Sequence, residues 1–360
     1  MTEQVDAHDD KVGQNNINAN RSCPQAPSVN QSRVRFAAIA ALLLTLSIPA
    51  EAAIDPRYTA AGVSIDGMIC VDAATGAVLS EDKADFPGHP ASVTKLMTTL
   101  LVLEDIKANQ LTMRSRVTAT KAAANTGGSQ VWLAAGESFS VEEMLYALLL
   151  KSANDVAVAL AIDRGGDVPT FVARMNRRAA ELGMTRTTFV TPNGLTYGKG
   201  PHDTTTARDL AKLAVALCRF PELLKFTSTK QYLLRRPGKP LELLNHNHLL
   251  DSFPGCDGLK TGWTVAAHAS IVTTAKDKDV RVIAIVLGCQ SPAGAKPEQR
   301  LRDNLAADLM SHGLDKLKKL EAEKSLRQAQ APAFAPARKL PVKAKKEEGF
   351  WDWLVDLFSF

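Results

Sequence analysis

PASVTK at residues 90–95 leads into the strongly apolar segment LMTTLLVL at residues 96–103, and this stretch is the first pointer to the fold. Its proline favours helix initiation, which places Ser92 in the first turn and Lys95 one turn further along the same face. A serine hydroxyl is a poor nucleophile until a base removes its proton, and a lysine can be that base only when its pKa is lowered. Burial and a second cation both lower it. The spacing therefore predicts a serine nucleophile with a lysine base, although alone it also fits a helix cap followed by a solvated lysine.

Two further motifs strengthen this interpretation. KSAND at residues 151–155 lies between the apolar runs 144–150 and 156–162. Burying the polar groups of Ser152 and Asn154 there costs about 1–3 kcal/mol each unless they find partners. DGLKTGW at residues 257–263 precedes β-branched segments, and its Lys-Thr-Gly alone fits an edge strand that ends in a turn. The order S-x-x-K, S-x-N, K-T-G is that of penicillin-binding proteins and class A β-lactamases.

On these motifs the chain resembles the low-molecular-mass penicillin-binding proteins, the serine-type D-alanyl-D-alanine carboxypeptidases. The likeness runs from about Ala60 to Gly313 and includes further segments at residues 191–195, 205–209, 245–250 and 255–262. The resemblance implies an α+β fold of the β-lactamase/penicillin-binding-protein type. In that fold a five-stranded antiparallel sheet is flanked by helices, an all-helical lobe is added, and the site lies between them.

The resemblance also assigns roles in proton transfer. Ser92 is the acylated nucleophile and Lys95 its general base. Ser152 and Lys260 form a second proton relay toward the leaving amine. Asn154 holds Lys95 and the substrate amide.

Substrate binding falls to the third motif in the same resemblance. Lys260 and Thr261 meet the terminal carboxylate of the substrate, and Gly262 allows a peptide to lie along the strand as an added β-strand. The backbone N–H groups of Ser92 and Trp263 form the oxyanion hole. Family members often carry an arginine after the last strand for the carboxylate, and here Lys296 and Arg300 are the candidates to replace it.

The function expected from the resemblance is removal of the terminal D-alanine from peptidoglycan stem peptides, with β-lactams as covalent inhibitors. A D,D-endopeptidase that cuts cross-links is the alternative, because this chain lacks strand signals after Leu287, as do endopeptidase relatives. A β-lactamase is disfavoured, since residue 153 is alanine and no Glu-x-x-x-Asn segment stands between Asn154 and Lys260. An inactive wall-binding scaffold is the remaining alternative, although every catalytic position is filled.

Hydrophobic patterning along residues 53–315 agrees with one catalytic domain. The apolar runs 62–69 and 70–79, broken at 72–76, predict a hairpin, and residues 91–219 have helical periodicity. Residues 270–275 and 280–287 predict two late strands joined by a polar turn. We therefore expect strands from the two ends of this domain to belong to one sheet.

The first 52 residues predict a leader and a secretory signal peptide. Arg33 and Arg35 precede an apolar core at residues 36–50, and the small residues Ala50 and Ala52 predict cleavage after Ala52. A buried helix of the domain is the alternative. Export to an oxidising compartment would follow, and the sequence does not say whether any of the remaining cysteines pair. These are Cys70, Cys218, Cys256 and Cys289.

The C-terminal region predicts a membrane contact. Residues 316–349 form a charged helix and a Pro/Ala/Lys linker, and residues 350–360 place Asp352, Asp356 and Ser359 on one side of a helix opposite an aromatic face. Eleven helical residues span only about 16 Å, too little for a hydrocarbon core of about 30 Å. We expect an interfacial helix that attaches the protein peripherally to the periplasmic surface of the inner membrane, with docking onto the catalytic domain as the alternative.

The charge distribution and the candidate ligand residues indicate which classes of partner are not expected. The net charge is +5, but residues 316–346 hold ten lysines and arginines against two glutamates, so the rest of the chain is net negative. We therefore do not expect the rest of the chain to bind nucleic acid. His246 and His248 lack a third ligand nearby in sequence, and a serine–lysine mechanism needs no cofactor, so we expect neither a metal nor a cofactor.

Overall fold

The computed structural model of the protein describes residues 55–330, apart from 197–199 and 237. The predicted leader and signal peptide (residues 1–52), most of the predicted linker, and the predicted amphipathic helix (residues 350–360) lie outside the described residues.

One five-stranded antiparallel sheet, in the order β2-β1-β9-β8-β7, organises the domain. The strands of the described chain are β1 (Gly67–Asp72), β2 (Val78–Asp82), β3 (Arg116–Thr118), β4 (Ser138–Ser140), β5 (Gln231–Leu234), β6 (Leu241–Leu244), β7 (Cys256–Thr264), β8 (His268–Asp277) and β9 (Val280–Cys289). The early hairpin and the two late strands pair side by side, which confirms the sheet predicted from both ends of the domain. β7 lies at one edge of this sheet.

The helices of the described chain are α1 (Pro56–Ala60), α2 (Lys95–Lys107), α3 (Lys121–Ala124), α4 (Val141–Leu149), α5 (Asn154–Gly165), α6 (Val168–Glu181), α7 (Ala207–Leu217), α8 (Pro221–Thr227), α9 (Leu249–Ser252) and α10 (Ala295–Gln330). A short 3₁₀ turn, Ala91–Thr94, leads directly into α2. α2 is buried on nearly all sides, including the polar residues Lys95, Thr98 and Thr99, so it is the central helix of the helical lobe.

The two faces of the sheet bury separate cores because successive strand residues point to opposite sides. Ile69 and Val71 join the large core formed with the helical lobe. Met68 and Cys70 join a second core that α10 covers with Leu305, Leu309 and Met310 among others. α10 runs unbroken across residue 315, the boundary predicted for the catalytic domain.

Two small hairpin sheets were not predicted. β3 pairs with β4 and β5 with β6, and each of these strands has three or four residues. Strands this short carry too few residues to show an alternating pattern. Among the described residues, no helix has the length and apolar character needed to cross a bilayer.

Candidate active site

The first predicted motif lies where the 3₁₀ turn becomes α2. Ser92 belongs to the turn and Lys95 is the first residue of the helix, so the two side chains share a face. Lys95 Nζ lies 2.9 Å from Ser92 Oγ and donates a hydrogen bond of 2.7 Å to the carbonyl oxygen of Asn193. This geometry suits proton transfer from the serine to the lysine.

The surroundings favour a neutral Lys95. Burial holds the pKa of Lys95 well below its usual range, and the nearby charge of Lys260 acts in the same direction. Burial, followed by the charge of Arg302, lowers the pKa of Lys260 to about 7. Both side chains are buried, and desolvation disfavours the charged form of a lysine. A lysine base near neutral pH is therefore physically reasonable here.

Ser152 and Asn154 lie at the start of α5. Ser152 has a left-handed backbone, with φ of +61°, and its buried hydroxyl has no hydrogen-bond partner among the described residues. Asn154 donates from its amide to the carbonyl oxygen of Gly127, while its Oδ1 is likewise buried and unpartnered. Unpaired buried polar atoms are costly, so these two atoms are candidates to be satisfied by a bound ligand.

The predicted contact between Asn154 and Lys95 is not among the hydrogen bonds of the described residues. Lys95 is held instead by Asn193, whose carbonyl oxygen accepts from the ammonium group. Sequence reasoning singled out the segment 191–195 without assigning this role. A backbone acceptor leaves no signature in residue type, so the sequence gives no signal for it.

β7 brings the third motif alongside the nucleophile. A Cβ added at Gly262 would lie 2.7 Å from the oxygen of Pro90 and 3.1 Å from the backbone nitrogen of Ser92. Glycine is thus required by the close approach of the strand to the turn within the protein itself. Lys260 is buried and donates to the carbonyl oxygen of Thr261 at 2.8 Å, and the Trp263 indole donates to Glu298 at 3.0 Å.

A cavity of about 310 Å³ joins these elements. Of the predicted residues, Ser92, Ser152, Thr261, Gly262 and Trp263 line it. The other predicted residues, Lys95, Asn154 and Lys260, are buried beside them.

The same cavity is also lined by residues that the sequence analysis did not assign to the site. They are Ser129, His246, His248, Gln299 and Arg302. Arg302 is buried and pairs with Asp303, whereas the candidates Lys296 and Arg300 are exposed and absent from the lining. Arg302 lies two residues after Arg300, in the first turns of α10, and its side chain lines the cavity.

Two buried aspartates position the segments around the cavity. Asp203 accepts hydrogen bonds from Thr94 at 2.7 Å and from the backbone N–H and hydroxyl of Thr191 at 2.9 Å each, which ties the Asn193 loop to the catalytic turn. Asp155 accepts from the backbone N–H groups of Val131 and Leu133. Both are positioning residues.

The remaining candidate residues have no catalytic geometry. Burial is the main cause that lowers the pKa of His246 to about 4, with Lys260 adding to it, so this imidazole is neutral. Across residues 55–330 as described, no cluster of three metal-binding side chains is present. The four cysteines in this region are free thiols.

Comparison with known proteins gives a consistent result. Residues 55–291 match the peptidase S11 family, D-alanyl-D-alanine carboxypeptidase. D-alanyl-D-alanine carboxypeptidase DacF of Bacillus subtilis (strain 168) is 36% identical over 256 residues, which cover 71% of this chain and 65% of that protein. DacC of Escherichia coli (strain K12) is 34% identical over 290 residues, covering 78% of this chain and 69% of that protein. The chain thus spans about two thirds of the length of these curated relatives.

Solved structures agree. The D-alanyl-D-alanine carboxypeptidase DacD from Francisella tularensis has a TM-score of 0.64 at 30% identity, with 70% of each chain covered. Penicillin-binding protein D2 from Listeria monocytogenes, in its ampicillin-bound form, has a TM-score of 0.60 at 30% identity, with 68% of this chain and 97% of that chain covered. These likenesses confirm the predicted α+β fold.

Proposed function

The chain belongs to the D-alanyl-D-alanine carboxypeptidase family, and from that premise we propose that it removes the terminal D-alanine from peptidoglycan stem peptides through an acyl-enzyme on Ser92. The observation that carries the proposal is the 2.9 Å contact between Ser92 Oγ and a fully buried Lys95 whose pKa is lowered. An activated nucleophile of this kind is what acyl transfer requires.

The proposed chemistry assigns these groups the roles that the family resemblance implies. Neutral Lys95 takes the Ser92 proton as Oγ bonds to the carbonyl carbon of the penultimate residue. The backbone N–H groups of Ser92 and Trp263 stabilise the oxyanion, and the bond to the terminal D-alanine nitrogen then breaks. The Ser152 hydroxyl, in the relay with Lys260 that the resemblance implies, supplies the proton that the leaving amine needs. Water then attacks the ester and regenerates the serine.

Several features support capture of a free C-terminal carboxylate. Thr261 and Arg302 line the cavity, and Lys260 is buried beside Thr261. The edge strand β7 leaves backbone groups free to pair with an extended peptide. A terminal carboxylate fits this cationic end, so a carboxypeptidase is favoured over the endopeptidase alternative.

One product analysis tests the proposal. The purified protein is incubated with uncrosslinked pentapeptide muropeptides and with cross-linked dimers, and the products are identified by mass. Loss of a single alanine from the uncrosslinked substrate is expected. Conversion of dimers to monomers without loss of alanine would show a D,D-endopeptidase instead. No reaction with either substrate would refute both activities and favour an inactive wall-binding scaffold.

Covalent capture by a β-lactam gives an independent test. A fluorescent penicillin should label the protein at Ser92, located by peptide mapping, and Ser92→Ala should lose both labelling and peptidase activity. This substitution removes one partly exposed oxygen atom from the cavity wall, so the unfolding temperature should remain close to that of the wild type. A label at another residue would overturn the assignment.

We also propose that the protein is exported and held peripherally at the inner membrane. The supports are the signal-peptide pattern before residue 53, the aromatic face that the sequence predicts for residues 350–360, and the lysines of the preceding linker. Each such lysine adds about 1 kcal/mol of attraction at an anionic surface. Deletion of residues 350–360 should release a β-lactam-binding protein from membrane fractions, and a full-length protein that is soluble without detergent or high salt would refute the anchor.

A further inference from the structure

Trp132 presents a large apolar side chain to solvent next to the active-site cavity. It is 62% exposed, although its neighbours Val131 and Leu133 are buried. Its φ is +56°, a left-handed conformation that bulky residues rarely adopt and that costs on the order of 1–3 kcal/mol. Among the described residues, no ring contact or hydrogen bond covers the indole. A strained backbone and an exposed apolar side chain both reduce stability, so folding stability does not explain a tryptophan at this position.

A buried carboxylate and a partly buried guanidinium hold the backbone beside this tryptophan. The Asp155 carboxylate accepts the N–H of Val131 at 3.2 Å and the N–H of Leu133 at 3.0 Å. Arg236 donates to the carbonyl oxygen of Val131 at 3.0 Å and is itself paired with Glu137. The conformation that turns the indole outward is therefore fixed before any ligand arrives, which reduces the entropy lost on binding.

The same segment is part of the cavity wall. Ser129 lines the cavity, accepts the backbone N–H of Asn154 at 2.7 Å, and donates its hydroxyl to the carbonyl oxygen of Lys151. Trp132 follows Ser129 by three positions, so their Cα atoms lie within about 10 Å. The part of a stem peptide that precedes the scissile bond has about four residues and extends roughly 13 Å. Trp132 is thus within reach of the sugar to which a stem peptide is attached.

We propose that Trp132 is a substrate-binding residue that stacks on a sugar ring of the peptidoglycan glycan. This inference rests on the proposed function, because the sugar is named by the stem peptide that carries it. The C–H face of a pyranose is apolar and planar enough to cover an indole, while its hydroxyls remain in water. Tryptophan offers this area with only two side-chain torsions to fix.

The test compares two substrates that share the D-Ala-D-Ala end. One is a disaccharide pentapeptide and the other is a sugar-free acylated peptide. Trp132→Ala should raise KM for the disaccharide substrate on the order of 5- to 10-fold, with kcat within two-fold, and abolish the preference of the wild type for the sugar-bearing form. Leu326→Ala, an equally exposed apolar residue near the end of α10, is the matched control and should keep that preference.

Binding without turnover separates this inference from the proposed function. In a Ser92→Ala background, calorimetric titration with a disaccharide tripeptide should show Kd raised by a similar factor when Trp132 is replaced. Hydrolysis of the sugar-free peptide by the wild type tests the proposed function alone. An equal change for both substrates, or an unchanged Kd for the disaccharide tripeptide, would overturn the sugar contact even if that hydrolysis is normal.

Discussion

Gly262→Ala should slow acylation of Ser92 without unfolding the protein. The added methyl would lie 2.7 Å from the oxygen of Pro90 and 3.2 Å from the Cβ of Ala91. Since a carbon and an oxygen rarely approach closer than about 3.2 Å, strand β7 must move away from the catalytic turn by about half an ångström. Overpacking of this kind costs about 1–3 kcal/mol. For a domain of this size, that loss corresponds to a fall in unfolding temperature of about 2–5 °C.

The same displacement moves the N–H of Trp263, which we propose as part of the oxyanion hole, relative to Ser92. A shift of about 1 Å in catalytic geometry can cost 100-fold in rate, so half that shift should slow acylation about 10-fold or more. The rate is measured as the appearance of fluorescent penicillin on the protein at several drug concentrations. Peptidase activity should fall in parallel, because both reactions use the same geometry.

Gly313→Ala is a matched control on the other face of the sheet. Its added methyl would lie 2.5 Å from the sulfur of Cys70, so it overpacks the core beneath α10 and leaves the site untouched. We expect an acylation rate within two-fold of the wild type. If Gly262→Ala acylates as fast as Gly313→Ala, the close approach of β7 does not set the catalytic geometry, and this reasoning is refuted.

Three further predictions concern the cations of the site. Lys95→Arg should lose penicillin acylation, measured by labelling, because a guanidinium does not deprotonate in proteins; near-normal acylation would exclude Lys95 as the base. Arg302→Gln removes a charge that lowers the pKa of Lys260, so the pH profile of acylation should move to higher pH. Arg300→Gln, which changes an exposed arginine, is the control. If the two variants have the same pH profile, Arg302 does not influence Lys260. The pKa of Lys260 is about 7 when folded and about 10.4 when unfolded, so between these values the unfolded state binds more protons and this residue makes stability rise with pH. Lys260→Met should remove that rise, as measured by urea unfolding at pH 7 and pH 9, and an identical pH dependence in both proteins would contradict the buried, neutral lysine.

Periodicity and turn residues predicted the frame of the sheet because its long strands carry enough residues to show a pattern. β8 and β9 each have ten residues and a polar turn between them, and the structure has both. The three-residue strands β3 and β4 fall within a region of helical periodicity, and only tertiary pairing defines them. The central helix α2 was predicted at residues 96–103, and the structure extends it to Lys95–Lys107.

The chemistry of the site was less evenly predictable. Residues that act through their side chains, such as Ser92 and Lys260, belong to short motifs with fixed spacing, and the structure brings those motifs together. Asn193 acts through its carbonyl oxygen, for which residue type gives no signal. Arg302 lies on a helix whose N-terminal turns reach the pocket only because α10 packs on the outer face of the sheet. A position set by long-range packing cannot be read from local sequence.

Burial explains why a lysine can serve as the base in this fold. Lys95 is the first residue of the helix that fills the centre of the lobe, so its stem is surrounded by core. Among the described residues, its Nζ forms hydrogen bonds with Ser92 Oγ and the Asn193 carbonyl oxygen. A carbonyl oxygen accepts a hydrogen bond from either protonation state, and a neutral amine can still donate to it. A carboxylate partner in that position would instead favour the ammonium form and raise the pKa. Asp203 and Asp155 raise the pKa of Lys95, but burial and the charge of Lys260 lower it by more. Both carboxylates accept hydrogen bonds from backbone N–H groups of neighbouring loops. The site therefore keeps its base neutral by placing the negative charges one layer away, where they bind backbone N–H groups.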